Sequence, residues 1–350
     1  DRNMDKTEVL NKLYERLTTL EEDEGITPLF RWEWEQGVGL FAIYKLYEKT
    51  ENKNYLDFLK FWYLKMLNKG FDKNINTMSP LLALTYLYES DGNDEFLRII
   101  KENAEWLMEK MPRTVEGGMQ HLTTHTINSN QIWADTLFMT ILFLARAGKL
   151  LNSKEMQDEA VYQAILHVKY LTDTKTGLWY HGWSLTEGHF GEVFWGRGNC
   201  WITAAIPELL KTTDSVIGSV DKRILEEAYK RQVHALIENQ DISGMWHTII
   251  NDSESYFETS ASAGFSYGIL QGIKLGILDE SNYLNSYMAV RYIVSNYLEE
   301  DGSLGQVSAG TAMGYDKKHY KNIGFCQTPY GQGLLILAIL ELENSESFYD

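Results

Sequence analysis

Basic residues are scarce in this sequence. Its 32 lysines and arginines are outnumbered by 49 aspartates and glutamates, which gives a formal net charge of −17. Such a chain repels nucleic acid and anionic membrane surfaces at long range, and no basic arm offsets the repulsion. We therefore expect neither a nucleic acid nor a membrane among its partners.

Long apolar runs are missing as well. The longest ones, such as residues 137–148, fall short of the roughly 20 residues that a membrane span needs. The start, DRNMDKTEVL, is charged and lacks the apolar core of a signal peptide. We predict a chain without a transmembrane segment, which is cytoplasmic or is the processed form of a periplasmic or secreted protein.

Metal and redox ligands are also few. Cys200 and Cys326 are the two cysteines, and their apolar settings favour two buried free thiols over a disulfide. The eight histidines are scattered, and no close pattern of His, Cys and Asp indicates zinc. The sequence implies no cofactor and no metal.

The apolar residues, 44% of the chain, follow mostly helical periodicity, whereas strand signals are weak. One set of segments is amphipathic, with apolar residues three or four positions apart: 5–20, 55–69, 94–109, 155–171, 221–239 and, less regularly, 282–298. A second set is apolar nearly all round, as in helices that are buried on every side: 37–47, 80–88, 134–148, 199–210, 261–277 and 330–340.

These two kinds of segment alternate strictly along the chain. The alternation predicts an all-α fold, an (α/α)6 barrel in which six inner and six outer helices form a double toroid. Ring closure then pairs the amphipathic first helix with the last buried one. We expect residues 1–350 to form this barrel as a single catalytic domain.

The connections of the predicted barrel differ in length. Links that lead into the inner helices are long: 70–79, 110–133, 172–197, 240–259 and 299–329. Loops of this length in a compact domain are usually functional. The rim that carries them also gathers the N-termini of the inner helices, whose partial positive charge favours an anionic ligand such as a carboxylated sugar.

Tryptophan recurs near this rim. Aromatic faces stack on the apolar faces of sugar rings, while neighbouring polar groups fix the orientation of the sugar. For each single tryptophan, burial in the core is the alternative interpretation. The candidates are Trp32, Trp34, Trp133, Trp179, Trp183, Trp195 and Trp201.

Asp135, in QIWADTLFM, opens a buried helix directly after Trp133, which is a costly position for a carboxylate without a function. The alternative is that it caps the helix. Burial against Trp133 would raise the pKa of Asp135 toward that of a usable general acid, and the helix N-terminus would lower it. The sequence leaves that balance open.

Arg197 and His181 are further candidates for the rim. Arg197 lies in a glycine-flanked turn, FWGRGN, and its guanidinium fork suits a carboxylate. An ion pair with Glu187 or Glu192 is the alternative. His181, in LWYHGW, lies among aromatic residues, where a purely structural histidine is equally common.

Five segments in this order resemble the unsaturated glucuronyl and rhamnogalacturonyl hydrolases of glycoside hydrolase family 105, a relative of family 88. They are QIWADTLFM, YHGW, FWGRGN, ETSASAGFSYGI and PYGQGLLILA, and they span nearly the whole chain. The resemblance implies an enzyme that removes a 4,5-unsaturated uronic acid from the non-reducing end of oligosaccharides left by a polysaccharide lyase. The reaction it implies is hydration of the C4=C5 double bond.

The resemblance also implies roles for individual residues. Asp135 matches the aspartate that protonates C4 and activates the water that adds at C5. A second set matches residues that stack on the unsaturated ring or hold it: Trp133, His181, Trp195 and Arg197. We expect further substrate contacts from Trp34, Asn76, Met78 and His125.

The chain departs from the family pattern at two positions. Asn76 stands where relatives usually carry a second aspartate, four residues before Pro80, and Ser184 stands where they often have another. A second carboxylate would raise the pKa of Asp135, so its loss affects the expected activity more than the fold. Asn76 is either natural or an introduced, inactivating change.

Two alternatives to the hydrolase stay open. An (α/α)6-barrel sugar epimerase or isomerase would need histidines on the inner helix ends, where this sequence has none. A sugar-binding variant with weakened catalysis is the other, because of Asn76. The expected partner is an acidic unsaturated oligosaccharide, and we expect a monomer or a weak homodimer.

Overall fold

The computed structural model describes residues 4–344 and 346–348. Within these residues the outer layer consists of α1 (Lys6–Thr19), α3 (Lys53–Leu67), α5 (Asp94–Glu109), α7 (Lys154–Leu171), α9 (Ser219–Glu238) and α11 (Tyr283–Tyr297). The inner layer consists of α2 (Trp34–Thr50), α4 (Ser79–Asp91), α6 (Leu142–Leu150), α8 (Gly196–Thr212), α10 (Thr259–Lys274) and α13 (Pro329–Leu340). The predicted all-α (α/α)6 barrel is confirmed. The predicted helix ends agree with these bounds to within a few residues, except that the segment predicted to begin at 134 becomes α6 only at Leu142.

The ring of inner helices closes on itself. Each inner helix packs against its two neighbours, with α13 against α2. Outside the ring, α1 packs on α13, and strand β1 (Met4–Asp5) pairs antiparallel with strand β4 (Ser347–Phe348). The first outer helix therefore packs against the last inner helix, as the alternation of amphipathic and buried segments predicts.

The inner layer is apolar because it is enclosed. Every residue of α13 is buried, whereas α5 buries one face and exposes the other. Gly268 shows how closely the inner helices approach, since a Cβ atom there would lie 2.2 Å from the carbonyl oxygen of Thr203 on α8. Any larger residue at position 268 would push α8 and α10 apart.

Some features of the rim loops have no helical periodicity and were not predicted. Strand β2 (Gln131–Trp133) pairs with strand β3 (Gly182–Ser184), with Trp133 opposite Gly182. A π-helical turn, Leu137–Ile141, leads into α6, and a short helix α12 (Lys317–Lys321) lies in the last long loop. The β2–β3 pair brings the loops before α6 and α8 together over the end of the barrel.

The cysteines agree only partly with the prediction. Both are free thiols, and Cys200 is buried in α8. The prediction that Cys326 is buried is wrong. This residue lies in the last rim loop, beside the hydroxyl of Thr27, and is partly exposed there. Across the described ranges, none of the helices has the length and apolar character that crossing a membrane requires.

Candidate active site

Two adjoining cavities open at the end of the barrel where the inner helices begin. The first, which we call the inner cavity, has a volume of about 300 Å³ and is lined by Trp34, Glu35, Asn76, His121, Thr123, Thr126, Trp133, Asp135, Trp195, Arg197, Gly310, Thr311 and Ala312. The second, the outer cavity, has about 520 Å³ and is lined by Arg31, Trp32, Glu33, Trp34, Glu35, Asn76, Thr123, Thr124 and His125. Four residues belong to both walls, so the two cavities are continuous.

Asp135 lies in the turn between β2 and the π-helical turn. Its carbonyl accepts the backbone N–H groups of Phe138 and Met139, which starts the helix. Its carboxylate lies 3.1 Å from Nε2 of His181 and forms no cap with the first turn of that helix among the described residues. The capping alternative therefore does not account for this carboxylate.

His181 lies behind Asp135 and is completely buried, so it is not part of the cavity wall. Its Nδ1 atom is 3.0 Å from the hydroxyl of Tyr320, which itself accepts the N–H of Gly314 at 2.9 Å. Because that hydroxyl is already an acceptor, its proton points to Nδ1 of His181, and the imidazole proton is assigned to Nε2. His181 thus donates a hydrogen bond to Asp135.

This arrangement decides the direction of the pKa shift of Asp135. Burial raises the pKa, but the electrostatic interaction with the imidazole of His181 and the hydrogen bond from it oppose this, and the net pKa lies below the usual value. His121, stacked on Trp133 at 3.8 Å, is neutral because burial lowers its pKa to about 3. The carboxylate of Asp135 is therefore ionised in the free protein at neutral pH.

Arg197 holds the last rim loop over the inner cavity. Its Nη1 donates to the backbone carbonyl and the hydroxyl of Ser308, and its Nη2 donates to the carbonyl of Ala309 at 2.7 Å. The guanidinium lies 4.4 Å from the ring centre of Trp195 and 5.0 Å from that of Tyr330. The guanidinium forms no ion pair with a described carboxylate, so the predicted alternative, an ion pair with Glu187 or Glu192, is wrong. Its Nε–H donates no hydrogen bond to a described residue.

The tryptophans divide between the cavities and the core. Trp34, Trp133 and Trp195 line the inner cavity and Trp32 lines the outer one. Trp179 and Trp201 are fully buried, so the core interpretation is correct for these two. Trp183 lines neither cavity and is partly buried between Tyr170 and Phe190.

Of the other residues predicted to contact substrate, some line the cavities and one does not. Asn76 lines both cavities, with its backbone N–H held by Asn74. His125 is exposed and lines the outer cavity alone. Met78 is fully buried and is absent from both walls, so a substrate contact for Met78 is wrong; the side chain enters the core where α4 begins. Ser184 is buried in β3, away from both walls.

Sequence reasoning missed Glu35, His121 and Tyr320. Glu35 stands in the same rim segment as Trp34, RWEWEQG, and its position at the start of an inner helix is the signal that could have found it. His121 and Tyr320 lie inside long connections whose sequence has no hydrophobic periodicity from which their conformation could be predicted. Their contacts with Trp133 and His181 exist only in the folded chain.

Known proteins resemble this chain over nearly its whole length. The unsaturated rhamnogalacturonyl hydrolase YesR of Bacillus subtilis is 33% identical over 322 residues, which cover 89% of this chain and 90% of that protein. The crystal structure of a possible member of the GH105 family from Salmonella enterica superposes with a TM-score of 0.93 at 38% identity, covering 96% of this chain and 93% of the other.

A more distant likeness concerns the fold alone. The unsaturated glucuronyl hydrolase of Bacillus sp. GL1 gives a TM-score of 0.75 at 16% identity, and the superposition covers 96% of this chain and 95% of the other. The model of Glycosyl Hydrolase Family 88 matches residues 7–346. The resemblance seen in the ordered motifs is confirmed, and it favours a hydrolase over an epimerase. The chain belongs to Glycosyl Hydrolase Family 88 and is a glycoside hydrolase.

Proposed function

We propose that this protein removes a 4,5-unsaturated uronic acid from the non-reducing end of oligosaccharides that a polysaccharide lyase has produced. The observation that carries the proposal is the carboxylate of Asp135, oriented by His181 on the wall of a cavity that also presents Trp133, Trp195 and Arg197. The activity of the Bacillus subtilis relative, an unsaturated rhamnogalacturonyl hydrolase, supports the same substrate class. Residues 1–350 would act as one catalytic domain.

In the proposed reaction Asp135 first acts as an acid. It gives its proton to C4 of the C4=C5 double bond, and positive charge develops at C5, next to the ring oxygen. The resulting carboxylate then takes a proton from a water molecule as its oxygen bonds to C5. The hemiketal opens by breaking the bond between C5 and the ring oxygen, which leaves a ketone at C5 and a hemiacetal at C1. The hemiacetal then breaks its bond from C1 to the glycosidic oxygen, so that C1 becomes an aldehyde and the remaining sugar leaves with that oxygen and a proton. One water is consumed, and Asp135 returns to its protonated state.

The pKa of Asp135 is low in the free protein, and it must rise when substrate binds for the proposed order of proton transfers to work. A protonated acid is needed for the first step, whereas His181 favours the ionised form. The substrate's own carboxylate brings a negative charge into the inner cavity, which raises the pKa of Asp135. His181 then stabilises the carboxylate that forms when the proton has moved to C4.

Arg197 and the aromatic residues bind the sugar in this proposal. The free Nε–H side of the Arg197 guanidinium suits the uronate carboxylate, and the helix N-termini at the rim add partial positive charge. Trp133 and Trp195 offer faces for the ring. The outer cavity would receive the next sugar.

Ultraviolet absorbance of the conjugated double bond tests the proposal directly. We expect the absorbance of the unsaturated disaccharide from rhamnogalacturonan to fall with time as equimolar free sugar appears. Other lyase products, from pectin, ulvan and glycosaminoglycans, define the specificity for the second sugar. The proposal fails if the protein leaves all of them unchanged.

Asn76 gives a prediction that separates catalysis from binding alone. We expect both the given chain and the Asn76→Asp variant to turn over substrate, with KM raised about fivefold in the variant because a second negative charge faces the uronate at a cost of about 1 kcal/mol. Steady-state kinetics by absorbance measures this. Turnover confined to Asn76→Asp would show that the given chain binds sugar without efficient catalysis.

Tyr320→Phe tests the orientation of His181. Loss of the hydroxyl removes one hydrogen bond of His181 and one of Gly314, and we expect kcat to fall roughly three- to tenfold, equivalent to about 0.5–1.5 kcal/mol. The matched control is Tyr315→Phe, whose hydroxyl donates to Glu187 at 2.6 Å in the neighbouring loop. Equal losses of kcat in the two variants would argue against this function of Tyr320.

A further inference from the structure

A second carboxyl, Glu35, shares the inner cavity with Asp135. It is the second residue of α2 and belongs to the walls of both cavities, next to Asn76. No other described residue forms a hydrogen bond or an ion pair with its side chain. Glu33, two residues earlier, differs in this respect because it accepts the hydroxyl of Thr124. Glu35 is thus a carboxyl without a resident partner at the junction of the two cavities.

The surroundings of Glu35 favour its neutral form. Burial raises its pKa, the negative charge of Glu33 raises it further, and Arg31 and Arg197 lower it, with a result of about 7. The titratable and charged groups that face it are Arg31 and Glu33 on its own segment, Arg197 on α8, Tyr330 on α13, His121 and His125 on the loop before β2, and Asp135 across the inner cavity.

Arg197 connects this carboxyl to the substrate. The guanidinium interacts electrostatically with Glu35 and forms no ion pair with a described carboxylate. An ionised Glu35 would compete with the uronate for that positive charge and would also repel the uronate. A neutral Glu35 does neither, and its carboxylic O–H is a hydrogen-bond donor for a sugar oxygen.

We propose that Glu35 determines specificity for an anionic sugar by binding it as a neutral carboxylic acid, so that one proton enters Glu35 as the substrate's carboxylate enters the cavity. The inference rests on the proposed function. The proton comes from solvent, and no covalent bond to carbon changes in this step.

The pH dependence follows with a definite sign. A bound uronate raises the pKa of Glu35 further, so binding is tightest where Glu35 is already protonated, below its free-protein pKa of about 7. Above that pH, in the Asp135→Asn background, the dissociation constant rises by up to about tenfold per pH unit, because the proton for Glu35 must be taken up from a more dilute pool. The unchanged protein adds the proton uptake of Asp135 itself, so the Asp135→Asn background isolates the contribution of Glu35.

Calorimetry in the Asp135→Asn background measures the linked proton without turnover. Titration with the unsaturated disaccharide in two buffers of different ionisation enthalpy should give an uptake of about half a proton at pH 7, rising toward one at about pH 8. Glu35→Gln, which keeps a neutral hydrogen-bonding group, should take up no proton and should bind with an affinity that is flat over this range. Glu33→Gln should keep the uptake but begin it at lower pH, because the charge of Glu33 is one of the causes that raise the pKa of Glu35.

The methyl ester of the same disaccharide supplies a test that needs no change at position 35. Without its charge the ester should bind with a smaller proton uptake and a weaker pH dependence over the same range, because only the hydrogen bond from neutral Glu35 remains. The proposal is overturned if the ester and the acid take up the same number of protons, if uptake persists in Glu35→Gln, or if it vanishes in Glu33→Gln. Absence of binding by every lyase product would instead overturn the proposed function.

Discussion

Replacement of Asp135 by asparagine is expected to lower kcat by about 10²–10⁴-fold, the range that general acid–base catalysis contributes. Asparagine has the same shape, and its carbonyl oxygen can still accept the Nε2–H of His181. The cavity therefore keeps its form, and the variant loses only the proton that C4 would receive. We expect binding of the unsaturated disaccharide to remain within about threefold, roughly 0.7 kcal/mol, of the unchanged protein.

Absorbance kinetics and calorimetry together measure this separation of binding from turnover. Asp173→Asn is a suitable control, since that carboxylate holds a turn in the loop before β3 and touches neither cavity. We expect the control to keep its turnover. If Asp135→Asn retained more than about a tenth of kcat, proton transfer by Asp135 could not account for the catalysis.

Arg197→Lys is expected to lower kcat/KM by at least about 30-fold. This corresponds to the roughly 2 kcal/mol or more that is lost when one partner of a buried, hydrogen-bonded charge pair is truncated, here the guanidinium that would bind the uronate. Lysine keeps the positive charge but lacks the planar fork that holds Ser308 and Ala309 while leaving Nε–H for the uronate. The loss should appear mainly in KM, and it should be much smaller for the neutral methyl ester of the substrate.

Arg231→Lys gives the matched comparison for Arg197. The Arg231 guanidinium also donates to a loop carbonyl, that of Thr174, but it lies far from either cavity wall on the exposed surface of α9. Its replacement should leave kcat/KM unchanged. An equal fall for the acid and the methyl ester in Arg197→Lys would mean that the residue acts by holding the loop and does not bind the carboxylate.

The helices of the barrel could be predicted because each is long and its burial is periodic. An all-apolar segment such as α13 has no stable position except inside the ring, and an amphipathic one such as α5 none except outside it. The position of Asp135 followed from the same pattern, since the residue before an inner helix must lie at the rim. Arg197 was found in the same way.

The chemistry of the site could be predicted less well, because it depends on contacts across long stretches of chain. The sign of the Asp135 pKa shift is set by His181, which is 46 residues away in sequence. His181 in turn is held by Tyr320, a further 139 residues on. For Met78 a substrate contact was predicted that the structure does not show. Its segment does lie at the rim, but the side chain is buried in the core.

The site of proton delivery is the central claim, and NMR of the product formed in D2O tests it most directly. If Asp135 protonates C4 from one face of the bound ring, early product carries a single deuterium at C4 in one configuration, and the vinyl signal of C4 disappears at the rate at which free sugar appears. Release of sugar with the C4=C5 double bond intact, or with both configurations at C4 in equal amount, would contradict hydration by Asp135.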